Sequence, residues 1–334
     1  MQRQIWIDVL KGIGIACVVL CHSTNSPMTV EIIFMFNMPL FFLLGGWLHR
    51  DTMPQREFLR NQARNLLLPY VSYLLILWPL ELLAAFPDQT WDRVFILREL
   101  LKPMVLGGPL LKGYAAVFWF VTCYFLVQQL VHYVVRQYSR QQALLIFSTL
   151  LVCAYLQAWL LPLSWLPWNV HTVLFAAPLY YCGYRSREVD FQKYRVALCL
   201  VAAAGVALNL SGVHNRLDLK YLDYGFPLVT LVSAVACSAV LALVAQLLAT
   251  SRAGSLLAAL GGASLTIMFI HQFIQLGMAK QLGLGSVPLR VVVSLLLGWG
   301  LHRLWLWWPL LGKFFIGTRA KGTRLSSASL VTGA

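Results

Sequence analysis

The first apolar segment of the chain, residues 5–24, carries three ionisable side chains. Hydrocarbon disfavours such groups, so each one kept in a spanning helix is expected to have a partner or a function. Asp8 precedes Lys11 by about one helical turn and His22 follows it by about three, so all three leave the same face. Lys11 and His22 then lie roughly 16 Å apart along the axis. A cation and a base aligned in this way suit an enzyme that holds a long anionic ligand and moves a proton at its far end.

The composition of the whole chain indicates a membrane protein. Of its 334 residues, 59% are hydrophobic and only 11% are charged, and the mean hydropathy is +0.71; soluble chains have about 25% charged residues. Apolar segments long enough to span a bilayer predict about ten transmembrane helices, with nine and eleven as alternatives. These segments are residues 5–24, 31–48, 66–85, 114–135, 142–161, 170–184, 196–212, 225–249, 261–280 and 288–311. The predicted fold class is all-α and polytopic, with a single transmembrane domain over residues 1–315 and a polar, disordered cytoplasmic tail over 316–334.

Lysine and arginine residues are distributed unevenly between the predicted loops. The set on the side of the N-terminus is twice as large as the set on the other side. Because loops rich in these residues stay in the cytoplasm, both termini are predicted to be cytoplasmic. This topology and contact with anionic membrane lipids account for the net charge of +14, which therefore does not indicate a nucleic-acid partner.

Five short motifs follow one another along the chain. They are D-x-x-K-G with a histidine eleven residues after the lysine, FMFNMPLFFLLGGWL, FLRNQARNLLLPY, FWFVTCYFL and SLTIMFIHQFI. With these motifs in this order, the chain resembles the integral-membrane acyltransferase family three, and within it the branch similar to fucose 4-O-acetylase-like proteins. Two features depart from the family pattern. Gly45 stands where the family usually has serine, and Arg60 and Arg64 are four residues apart where many relatives have a tighter basic pair.

The resemblance implies catalytic roles for three residues of the first helix. His22 is the expected catalytic base, since an imidazole has an ordinary pKa of about 6.5 and can take a proton from a sugar hydroxyl at neutral pH. Direct base catalysis and an acyl-histidine intermediate both remain open. Lys11 is expected beside the acyl donor or its oxyanion, with extension to the membrane surface as the alternative. Asp8 is interpreted chiefly as the partner that keeps Lys11 charged, and a direct role in the chemistry is its alternative.

The resemblance also implies binding roles for four residues further along the chain. Arg60 and Arg64 are candidate ligands for the phosphates of coenzyme A, because guanidinium groups pair well with phosphate oxygens. Their alternative is a lipid-facing basic cluster. Trp119 and His271 are candidate substrate-binding residues. The alternative for Trp119 is an aromatic residue at the membrane interface, and the alternative for His271 is a structural hydrogen-bond donor within the bundle. No group of His, Cys, Asp and Glu has the spacing of metal ligands, so no metal is expected.

The predicted function is that of an O-acyltransferase, and the resemblance favours an O-acetyltransferase. The donor would be cytoplasmic acetyl-CoA, as a substrate and not as a permanently bound cofactor. The acceptor would be a sugar hydroxyl of a cell-surface glycan or its lipid-linked precursor. Two other classes remain alternatives at this point. One is a transporter or flippase of a glycan precursor, against which the absence of an internal repeat argues. The other is a membrane glycosyltransferase, but the loop that holds Asp88 and Asp92 is short and has no DxD-like pair.

Overall fold

The computed structural model describes residues 4–162, 166–278 and 283–317. The regular elements in these ranges are helices, which confirms the predicted all-α class. The helices named below are α1 (Ile5–Ser23), α2 (Pro27–Leu48), α3 (Gln55–Ala85), α4 (Trp119–Gln137), α5 (Arg140–Leu160), α6 (Val170–Arg185), α7 (Arg195–Leu210), α8 (Val229–Leu248), α9 (Arg252–Gly262), α10 (Ser264–Gln272) and α11 (Val287–Trp307). The predicted tail lies outside the described residues from position 318 onwards.

The longer helices have the length and composition of membrane spans. Within the described ranges, seven helices are long and apolar enough to cross a membrane. The number is eight if α9 forms one span with the segment Ser264–Met278, which begins with α10 and meets α9 at a bend of 69°. Two of the ten predicted spans, near 170–184 and 196–212, correspond to α6 and α7. Each has 16 residues and is therefore about 24 Å long, which is shorter than a hydrocarbon core of about 30 Å. The chain is a multi-pass membrane protein, and it differs from ten full spans at these two helices and at the bend.

Glycine residues allow α1 to pack directly against α9. A Cβ atom at Gly12 would meet the backbone carbonyl group of Leu257, and a Cβ atom at Gly261 would meet that of Asp8. Side chains do not approach backbone atoms this closely, so only glycine fits at both crossing points. The contact holds α1, the helix that carries Asp8, Lys11 and His22, against the bend between α9 and α10.

Successive long helices run in opposite directions, which gives the bundle two distinct ends. The Lys11 end contains the start of α1, the end of α2 and the start of α3. The His22 end contains the end of α1, the start of α4 and the loop 211–228 between α7 and α8. The same alternation places the basic segments 50–64 and 185–195 at the Lys11 end.

Candidate active site

A cavity of about 350 Å³ lies beside α1. One of its walls consists of Lys11, Ile15, Val18 and His22, which follow one another at helical spacing. The other walls come from α2, α4 and α10, and residues 217–221 form the His22 end. The face that the sequence analysis predicted to carry Lys11 and His22 is therefore the face that lines the cavity, and the two residues are about 16 Å apart along it.

Lys11 forms an ion pair with Asp8 at its end of the cavity. The Nζ atom of Lys11 lies 3.4 Å from Oδ1 of Asp8, one helical turn away. Asp8 is buried, whereas the Lys11 side chain is 25% exposed. An ammonium group within a bundle requires a counter-charge. Asp8 supplies that counter-charge, and Lys11 still faces the cavity.

His22 lies at the opposite end of the cavity, where its side chain is exposed. The ring of His271 packs beside it, with 5.3 Å between the two ring centroids. His271 is fully buried, and its Nδ1 donates a hydrogen bond to the carbonyl oxygen of Met268 at 2.8 Å. Its Nε2 is then an acceptor, and this atom has no protein partner among the described residues. His271 thus stands behind His22, while its neighbour Gln272 is the residue that lines the cavity.

The aromatic wall of the cavity contains Trp119 and explains the unusual glycine of α2. Trp119 lines the cavity from the first turn of α4 and is 7% exposed. Gly45 lines it from α2, where a Cβ atom would meet the hydroxyl group of Tyr124 and lie 2.8 Å from the ring of Tyr180. These two tyrosines occupy the space that a serine side chain would need. The departure from the family pattern at Gly45 therefore has a steric cause.

Lys220 is a cavity residue that the sequence analysis missed. It belongs to the loop 211–228, yet it is only 8% exposed and lines the His22 end of the cavity. Its Nζ donates a hydrogen bond to the carbonyl oxygen of Ala116 at 3.0 Å. Burial lowers the pKa of Lys220 to about 8, while the charge of Asp218 acts in the opposite direction. The sequence signal was the segment LDLKY, in which apolar residues flank each charge.

The predicted coenzyme A ligands, Arg60 and Arg64, lie on α3 at the Lys11 end. Both side chains are exposed, and neither is among the described residues that line the cavity. Leu66, two residues after Arg64, does line it. The two guanidinium groups therefore lie on the outside of the bundle, close in sequence to the cavity wall.

A second cavity, of about 730 Å³, lies at the Lys11 end between α1, α2, α6 and α8. Arg140, Arg185 and Arg187 are among its lining residues. Arg185 is hydrogen bonded to Glu188, whose carboxylate also lies 3.8 Å from Arg140. Arg187 donates a hydrogen bond to the carbonyl oxygen of Gly46 at 3.0 Å, at the end of α2. This second cavity is a basic region separate from Arg60 and Arg64.

Two further histidines meet near the Lys11 end, outside both cavities. Nδ1 of His132 lies 3.2 Å from Nε2 of His49, and Nδ1 of His49 lies 3.1 Å from the hydroxyl oxygen of Tyr180. Neither histidine was assigned a role from the sequence, in which they are 83 positions apart. Among the described residues, no group of three or more His, Cys, Asp and Glu side chains is arranged to hold a metal ion.

Comparison with known proteins identifies the family. A family profile described as an acyltransferase domain matches residues 4–318. The nodulation protein NolL of Mesorhizobium japonicum is 29% identical over 101 residues, a match that covers 26% of this chain and 27% of NolL. The alignment thus spans about a quarter of that relative. No solved structure is significantly similar to the chain. The match over nearly the whole chain confirms the predicted resemblance: the protein belongs to the integral-membrane acyltransferase family three.

Proposed function

We propose that this acyltransferase moves an acetyl group from acetyl-CoA to a sugar hydroxyl of a cell-surface glycan or its lipid-linked precursor. The observation that carries the proposal is the single cavity that reaches from Lys11 to His22. Its length of about 16 Å suits the pantetheine arm of a CoA thioester, which would lie between a cation and a base. Most of the lining side chains are apolar, which favours exclusion of the water that would hydrolyse the thioester.

The proposed donor enters at the Lys11 end. The loops at this end carry the larger share of Lys and Arg, which by the positive-inside rule makes it the cytoplasmic end. The protein would then lie in the bacterial inner membrane with both termini in the cytoplasm. His22 is near the opposite face, so the acceptor sugar would reach it from the periplasm.

His22 acts as the base in the proposed reaction. One of its ring nitrogens takes the proton of the acceptor hydroxyl while the hydroxyl oxygen attacks the carbonyl carbon of the thioester. The tetrahedral intermediate then collapses, the C–S bond breaks, and the proton passes from His22 to the CoA thiolate. The products are an acetylated sugar and free CoA. In the alternative, His22 itself attacks the thioester and releases CoA, and the sugar hydroxyl then takes the acetyl group from the acyl-imidazole. The substrates and products are the same.

His271 is the proposed positioning residue for this base. It has an unprotonated Nε2 in a ring packed against His22. A hydrogen bond donated by one nitrogen of His22 to this acceptor would leave the other nitrogen of His22 free to take a proton. His271, a candidate substrate-binding residue from the sequence, is in this proposal a supporting residue that acts through His22.

The variant His22→Ala tests the proposed function. We expect loss of CoA thiol release from acetyl-CoA by detergent-solubilised protein supplied with a cell-envelope glycan extract, together with loss of the acetyl mass increment on the glycan. His214→Ala is the control, because His214 is exposed in the loop 211–228 and does not line the cavity. Thiol release and acetylation at the wild-type level in folded His22→Ala would refute the mechanism.

The position of the CoA nucleotide is tested by two double variants. If Arg60 and Arg64 bind the phosphates, changing both to Gln should raise the half-saturating acetyl-CoA concentration much more than it lowers the limiting rate, since the contact is remote from the reacting atoms. The matched pair is Arg140→Gln with Arg185→Gln, which removes two guanidinium groups from the second cavity. A rise in half-saturation confined to this second pair would move the nucleotide site to that cavity.

A further inference from the structure

We infer that Lys220 is a second catalytic residue, whose ammonium group binds the oxyanion that forms on the thioester carbonyl during acyl transfer. The inference rests on the proposed function, because it assigns a role within the same reaction. His22 and Lys220 both line the His22 end of the cavity, from α1 and from the loop 211–228 respectively. The base and the cation therefore face the same space from two different elements.

The hydrogen bonding of Lys220 indicates that it serves an anionic ligand. An ammonium group has three N–H donors, and the hydrogen bond of Lys220 within the described residues goes to the carbonyl oxygen of Ala116. The centroid of the Tyr221 ring lies 5.3 Å from its Nζ. The charge of Asp218, which lines the same cavity, favours the ammonium form of Lys220, but no ion pair joins the two side chains among the described residues. Burying a cation without a paired anion is costly. A cavity residue of this kind is suited to a negative charge that arrives with the substrate.

The loop holds Lys220 in place before any substrate binds. The hydroxyl group of Thr172 on α6 donates a hydrogen bond to the carbonyl oxygen of Leu219 at 2.9 Å. Arg216 donates to the carboxylate of Glu31 on α2, also at 2.9 Å. These bonds attach the residues on the N-terminal side of Lys220 to two helices of the bundle. A donor fixed in this way loses little energy to reorganisation when the oxyanion forms, which is the main requirement for electrostatic stabilisation of a transition state.

The step assigned to Lys220 moves no proton. As the acceptor oxygen attacks, the electron pair of the thioester C=O bond shifts to the carbonyl oxygen, and N–H groups of Lys220 donate hydrogen bonds to that oxygen. The carbonyl oxygen loses its negative charge when the C=O bond forms again and the C–S bond breaks. His22 carries the proton from the hydroxyl to the thiolate, so Lys220 stays protonated throughout.

Lys220→Met tests this assignment, since methionine keeps the stem and removes the charge. We expect the limiting rate of CoA thiol release from acetyl-CoA, with the glycan extract as acceptor, to fall by roughly 100- to 1,000-fold, as on removal of one oxyanion donor in other enzymes. The half-saturating concentrations of acetyl-CoA and of the extract should stay within about threefold of wild type. Lys112→Gln is the control, because Lys112 is an exposed cation outside the cavity whose charge also acts on Lys220.

Lys220→Arg gives a second test that does not depend on the folding of the uncharged variant. Arginine stays charged at all accessible pH values. The limiting rate of the Lys220→Arg variant should therefore remain level above pH 8, where the limiting rate of the wild-type protein should fall as Lys220 loses its proton. The groups that face Lys220 are Asp218 and Tyr221 from its own loop, Lys112 from the loop before α4 and His22 from α1. An identical alkaline fall in both proteins would contradict the assignment.

The remaining outcomes separate this inference from the proposed function. If folded Lys220→Met keeps the wild-type limiting rate while His22→Ala is inactive, the role of Lys220 is refuted and the proposed function stands. If Lys220→Met raises only the half-saturating concentration of the glycan extract, Lys220 binds the acceptor and not the oxyanion. If the wild-type protein releases no thiol from acetyl-CoA, the proposed function itself fails.

Discussion

Replacing Gly12 by alanine tests whether the direct contact between α1 and α9 positions the active site. The new Cβ atom would lie 2.7 Å from the carbonyl carbon of Leu257 and still closer to its oxygen. Non-bonded carbon atoms prefer a separation of about 3.5–4.0 Å, so the two helices would have to separate by about 1 Å. A backbone carbonyl group cannot rotate away as a side chain can. We therefore expect α1 to move as a unit.

The magnitude follows from the size of this displacement. Overpacking of this kind costs about 1–3 kcal/mol of stability, against which the better helix propensity of alanine returns about 1 kcal/mol. The effect on catalysis should be larger. Gly12 is adjacent to Lys11 and lies on the same helix as His22, and a misplacement of about 1 Å at reacting groups can lower a rate by about 100-fold.

Thermal unfolding in detergent and the initial rate of CoA thiol release measure the two effects. Gly300→Ala is the matched control, since it makes the same change inside α11, where no described atom outside the adjacent turns of that helix lies within 4 Å of the added Cβ. The control should be as stable as wild type or slightly more stable, with full activity. If Gly12→Ala has the same melting temperature and rate as Gly300→Ala, the reasoning about the crossing point is refuted.

Three further predictions follow from other parts of the structure. Gly45→Ser should displace Tyr124 and lower the melting temperature, and a wild-type melting curve would exclude the steric explanation for this glycine. His271→Ala should lower the limiting rate about 10- to 100-fold without changing the half-saturating acetyl-CoA concentration, and unchanged initial rates would leave His271 as a packing residue only. Reporters fused after residue 190 and near residue 218 should be cytoplasmic and periplasmic, respectively; the reverse result would invert the proposed direction of donor entry.

Much of the arrangement of side chains on α1 was predictable because the information is local. An α-helix turns by about 100° per residue whatever surrounds it, so the spacing of Asp8, Lys11 and His22 alone places them on one face. Hydropathy is also a local property, and it determined the all-α, multi-pass class. The two short helices α6 and α7 show where this reasoning ends, because a run of apolar residues does not state how many of them form one straight helix.

The assignment of loop charges was the least predictable part. From the sequence, Lys220 was one of the basic residues in the loops on the side opposite the N-terminus, and Arg60 was a candidate ligand for CoA phosphates. Lysine and arginine side chains in loops usually lie in water. The structure buries Lys220 in the cavity and leaves Arg60 exposed. Whether a loop lysine is solvated or buried depends on the hydrogen bonds that attach its loop to other elements, and those bonds join residues far apart in the chain.

By itself, the sequence determined that this protein crosses the membrane repeatedly and that one face of its first helix carries a cation and a base about 16 Å apart. The tertiary structure decided what that face borders, namely a cavity to which Lys220 is added from a distant segment, with His271 packed behind His22. The physical reason is that helix periodicity and hydrophobicity act between neighbouring residues. A cavity, by contrast, exists only where several helices fail to fill the space between them, and that depends on the packing of the whole bundle.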